Sequence, residues 1–68
     1  MNNTTRMDNG LRERFLKVYA DLPLSLRTEI ILVLGKEPLT WNAAYVEIIN
    51  STEKSAESLK KLSELMII

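Results

Sequence analysis

The sequence predicts an all-α domain of four short helices, a small helical bundle with its last three helices in a helix-turn-helix-like arrangement. Three observations predict it. Residues 24–34, LSLRTEIILVL, are apolar around nearly the whole circumference when wound at roughly 100° per residue, interrupted only by Ser25, Arg27, Thr28 and Glu29. Two later segments repeat apolar residues at helical spacing behind capping residues. There is also no cysteine among the 68 residues, so a core this small has no covalent staple and depends on helix packing or on association with another chain.

Taken in order, residues 1–8 are polar and terminal and are expected to be a disordered N-terminal tail, leaving residues 9–68 as a single helical domain. Asp8 or Asn9 caps a first helix over about residues 10–20. Its apolar side is Leu11, Phe15, Val18 and Leu22, widened by Leu16 and Tyr19, and Glu13 and Lys17 form an i, i+4 pair on the far side. Asp21-Leu22-Pro23 breaks the chain before residues 24–34.

The central segment is expected to be a helix that its neighbours wrap on all sides. Pro23 suits a first helical turn, and Gly35 stands where a left-handed C-terminal cap belongs. A buried strand competes for the same residues, because IILVL is a short β-branched run that periodicity alone cannot classify. No second strand-like run offers itself as a partner, and a lone strand is unstable, so the helix is the expectation.

After a loop at residues 35–38, Thr40 is an N-cap with Leu39 placed to staple onto Ala44. The third helix runs from Trp41 to Ile49, with Trp41, Ala44, Tyr45, Ile48 and Ile49 on one broad face. Residues 50–52 break it. Ser51 or Thr52 then caps a fourth helix over residues 53–65, whose inward positions are Ala56, Leu59, Leu62 and Met66.

Composition narrows the chemistry. Without histidine or cysteine, the usual nucleophilic triads and the imidazole or thiolate metal sites are excluded. Glu53 and Glu57 are the only carboxylates sharing a helix face at i, i+4, and a solvated face accounts for them. Gly35-Lys36 lacks the glycine-rich run of a phosphate loop. No catalytic residue, cofactor, metal or small-molecule substrate is therefore assigned, and a non-enzyme is expected. The nine basic residues balance nine acidic ones, which gives no long-range pull toward nucleic acid or an anionic membrane. The longest apolar run, residues 30–34, is far short of the roughly 20 residues that span a bilayer, and the N-terminus has no apolar signal core; a cytoplasmic location is expected.

A short helix, a tight polar break and a longer helix ending in apolar residues, with Ser51, Ser55, Leu59, Leu62, Ile67 and Ile68 in the pattern S…S…LxxLxxxGxI, resemble the helix-turn-helix half of winged-helix domains. The resemblance covers residues 24–68 and implies that residues 24–34 are the support helix. It further implies DNA contacts from Ser51, Thr52, Lys54, Ser55, Ser58 and Lys61, with dimerisation supplying a second half-site. Met66 stands where the family has its turn glycine, and no wing follows Ile68. The outward face of the supposed recognition helix carries Glu53, Glu57 and Glu64 against Lys54, Lys60 and Lys61, so its acids offset what the lysines gain from phosphates.

The expected function is therefore a non-catalytic protein-interaction module, with a helix-turn-helix DNA-binding protein of winged-helix type as the alternative. Leu65 points away from the Leu59/Leu62 stripe. Together with Ile67 and Ile68 it either forms an apolar C-terminal patch for a protein partner or a second copy in a homodimer, or packs back onto the first helix.

Overall fold

The computed structural model describes the backbone of residues 3–68 and side chains from residue 10 onward; the side chains of the expected tail, residues 1–8, lie outside the described residues. Helix α1 spans Asn3–Asp21. A single stretch of 3-10 helix, Leu24–Thr28, leads into strand β1, Ile30–Leu34, which pairs antiparallel with β2, Glu37–Thr40. Helices α2, Trp41–Ile49, and α3, Glu53–Glu64, complete the chain. The described residues thus form an α+β fold of three helices and a two-stranded sheet. This corrects the expected all-α four-helix bundle, and with it the purely helical reading of residues 9–68.

The correction lies in residues 24–34. Helical spacing holds only through Thr28, where the backbone makes 3-10 turns, and Glu29 is already extended at φ −77°, ψ 141°. From Ile30 the β-branched run is a strand, and its partner is the segment read from sequence as a loop and a cap. Leu34 pairs with Glu37 across a two-residue loop whose first residue, Gly35, has φ +61°. A positive φ at the first loop position alone is what a type II′ hairpin turn asks of glycine.

The strand is also not wrapped on all sides. Leu32 and Leu34 point into the core and Val33 points out, the period-two alternation of a half-buried strand. Across from them Leu39 is buried and Pro38 exposed. The register slips at Ile31, a bulge that leaves Ile30 opposite Thr40.

Strand β2 runs straight into α2. Thr40 closes the strand and caps the helix, its hydroxyl accepting from the Ala43 N–H at 3.0 Å. Both later helices end alike. After α2, the Ser51 N–H donates to Ile48 O and the Thr52 N–H to Glu47 O, each at 3.2 Å; after α3, Met66 donates to Ser63 O at 3.0 Å and Ile67 to Leu62 O at 2.9 Å. Each pair of bonds is a Schellman motif, which needs a left-handed residue at its turn. Ser51 (φ +52°) and Met66 (φ +61°) fill that role in place of glycine.

The core is Phe15 from α1, Leu32, Leu34 and Leu39 from the hairpin, Trp41, Ala44 and Ile48 from α2, and Leu59 and Leu62 from α3. Removing each such side chain from water contributes about 1.5–3 kcal/mol for the larger ones. An aromatic group joins α1 to α2: the Phe15 and Trp41 rings lie 5.6 Å apart, and Tyr19 stacks on Tyr45 at 4.4 Å while its hydroxyl donates to Asn42 Oδ1. On α3 the buried stripe is Ser58, Leu59 and Leu62. Ala56 and Met66, expected inside, are exposed, as is Ile49 on α2.

Candidate interaction surface

Single exposed apolar side chains are ordinary on a protein surface, whereas several gathered in one patch point to a contact. Ile30 keeps 60% of its surface exposed, Val33 53% and Leu65 60%. They are far apart in sequence, yet they come together. The C-terminal turn of α3 passes beside β1 and leaves an open groove of about 490 Å³. One wall is the strand from Ile30 to Val33, and the other is Lys61, Glu64 and Leu65. Met66, the most exposed large apolar residue among those described, follows Leu65 directly.

The backbone along this groove is unpaired as well. Among the described residues the sheet has two strands in the order β1–β2, so β1 hydrogen-bonds on one side only. An edge strand with free N–H and C=O groups is a template for another chain, and proteins usually blunt it with proline, lysine or an inward charge. Strand β2 has such protection in Pro38 and Glu37, and Glu37 is further engaged by the ammonium of Lys54. Strand β1, IILVL, carries no proline and no charge, and its edge is interrupted by the bulge at Ile31 alone.

The C-terminal residues expected to form one patch are divided by the α3 Schellman turn. Leu65 faces the groove, whereas Ile67 and Ile68 are partly buried against the core, and Arg14 on α1 donates to the Ile68 carbonyl oxygen at 2.6 Å. Leu65 is thus left exposed while Ile67 and Ile68 pack inward. The strand residues Ile30 and Val33 escape a helix reading of residues 24–34, which gives no free edge; the β-branched run IILVL followed by Gly35 is the available signal.

The residues proposed for nucleic-acid contact do not share one open face. Ser51, Thr52, Lys54 and Lys61 are exposed and Ser55 is partly so, but Ser58 is fully buried in the core. Lys54 is held by Glu37, which together with Glu47 raises its pKa above the ordinary lysine value, chiefly through the hydrogen bond. Thr52 donates to the Glu47 carboxylate, and the Ser55 hydroxyl donates to Thr52 O at 2.7 Å. The segment expected as a support helix is the 3-10 stretch and β1.

A smaller hollow beside the start of α3 is lined by Arg12, Ser51, Thr52 and Ser55 along with apolar residues. Among the described residues no helix is long and apolar enough to cross a membrane. Compared with protein-family models, curated proteins and solved structures, the chain matches none.

Proposed function

We propose that this chain is a non-catalytic protein-interaction module whose contact surface is the groove between β1 and the end of α3. The observation that carries this reading is the gathering of Ile30, Val33 and Leu65, from separate elements, along a strand edge with unspent hydrogen-bonding capacity. Apolar side chains supply the driving force for association and the strand edge supplies direction, the combination used in β-strand addition. The compartment attached to this reading is the cytoplasm. A nucleic-acid role draws less support, since Ser58 is in the core and Lys54 is occupied by Glu37.

Site-specific photo-crosslinking in cells tests it. Benzoyl-phenylalanine in place of Leu65 is expected to yield a discrete protein adduct, with another protein or with the chain itself, and the same group in place of exposed Lys60 is expected to yield little. Equal labelling at both positions, or none at Leu65, would count against this surface.

A further inference from the structure

We propose that the partner is a second copy of this chain, with the free edges of two β1 strands pairing antiparallel across a two-fold axis to make a four-stranded sheet in the order β2–β1–β1–β2. The inference rests on the interaction reading above and names its occupant.

The hairpin register says which groups are free. Leu34 and Glu37 close a two-residue loop and so form a hydrogen-bonded pair; alternation makes Val33 and Pro38 a non-hydrogen-bonded pair. The Val33 N–H and C=O therefore point away from β2, to the open edge. Pro38 occupies the matching position on β2, where the outward N–H would be, and has none to offer. At this register position the β1 edge offers both a donor and an acceptor, whereas β2 offers an acceptor alone. Antiparallel pairing of a strand with its own copy is also what a two-fold axis generates.

The side chains fit the same occupant. A two-fold interface sets one patch against itself, so each charge in it must find its opposite in the same patch. The α3 wall of the groove carries one cation and one anion, Lys61 and Glu64, on one flank of the helix. A two-fold axis perpendicular to the sheet brings the two α3 helices side by side and antiparallel, with Lys61 of each copy toward Glu64 of the other and Leu65 toward the shared seam. A strongly acidic or basic partner would find no such complement.

Sedimentation equilibrium of the purified chain, up to about 1 mM, decides the matter. A reversible dimer is expected. Lys61→Glu and Glu64→Lys should each weaken it about tenfold or more by opposing like charges across the axis, and the double variant Lys61→Glu/Glu64→Lys should recover the wild-type constant to within about threefold. A synthetic chain N-methylated at Val33 keeps every side chain and the hairpin ladder but loses the outward donor; it should be monomeric with an unchanged helical circular dichroism. If that chain fails to fold, the charge reversals, on the solvent flank of α3, settle the question instead. A monomer at every concentration overturns the proposal, as does a dimer indifferent to N-methylation of a folded chain or a double variant no better than the singles. Should the purified chain be monomeric while Leu65 still crosslinks a different protein in cells, self-pairing falls and the interaction module stands; loss of both signals removes both.

Discussion

Arg27 closes the 3-10 stretch onto α1 by gripping Tyr19 twice: its guanidinium donates to the Tyr19 carbonyl oxygen at 3.0 Å and lies 4.3 Å from the centre of the Tyr19 ring. The same ring stacks on Tyr45 of α2, so one side chain ties the segment before β1 to two helices. The Leu22 N–H, also near the end of α1, bonds to the Tyr19 carbonyl, which gathers the α1 terminus and the 3-10 stretch at one oxygen.

Arg27→Met is expected to destabilise the fold by about 2 kcal/mol, combining a charge-assisted hydrogen bond with a cation–π contact. Arg27→Lys should recover only part of this, because an ammonium cannot lie flat on the ring and reach the carbonyl together. Urea denaturation of the three proteins checks both statements. A loss below about 0.5 kcal/mol for Arg27→Met would show that the grip is incidental, at the level of an ordinary surface change.

The helices were legible because their start and stop signals are local. Thr40 as a cap, the break at residues 50–52 and the stripe of Leu59 and Leu62 are readable over a few residues. The hairpin was hidden because its signature is shared between two segments. Leu24, Leu26, Arg27 and Glu29 imitate a helical approach to IILVL, and β2 is only four residues long with one buried apolar side chain, Leu39. Pro38 argues against a strand in isolation, but its exposed edge position makes it compatible. Gly35 signals both a helix cap and a hairpin turn; the partner strand decides between them. The exposure of Leu65 was legible from its offset to the stripe, whereas that of Ile30 and Val33 required the sheet.

Ser58 is fully buried and its hydroxyl has no hydrogen-bond partner among the described residues. Ser58→Ala removes the unsatisfied group, improves helix propensity and leaves little void. It should stabilise the protein by about 1 kcal/mol, raising Tm by roughly 4–8 °C for a domain of this size. Thermal unfolding followed by circular dichroism is the check. A lower Tm would mean that the hydroxyl has a partner, such as an internal water.

The ion pair between Lys54 and Glu37 links α3 to β2 at the surface, and the Lys54 pKa is raised, first by the hydrogen bond to Glu37. A raised folded-state value means that folding holds the proton more tightly than the unfolded chain does. The pair's contribution is therefore complete below the unfolded lysine value of about 10.4 and disappears as pH rises through the higher folded one. Titration of the Lys54 ¹³Cε resonance should show a midpoint above the ordinary lysine value, and Glu37→Gln should bring it down. An unmoved midpoint in Glu37→Gln would assign the shift to other groups. Because the pair is exposed, its effect on stability should be small and fade with salt.

Met66 tests whether the end of α3 is shaped for stability or for contact. At φ +61° it holds the left-handed turn of the Schellman motif, a conformation that costs a side-chain-bearing residue about 1–2 kcal/mol relative to glycine. Met66→Gly removes that strain but gives the unfolded chain more freedom, so a net stabilisation of about 0.5–1 kcal/mol is expected. Ser51→Gly, at the matching turn after α2, should gain a similar amount. The two differ in what they expose: Met66 keeps 87% of its surface open and adjoins Leu65 on the proposed contact surface. Met66→Gly should therefore raise Tm while weakening association, and Ser51→Gly should raise Tm alone. Urea denaturation beside sedimentation separates the outcomes. Equal association by both variants would confine the role of Met66 to the turn, and a loss of stability in both would refute the strain assigned to these positions.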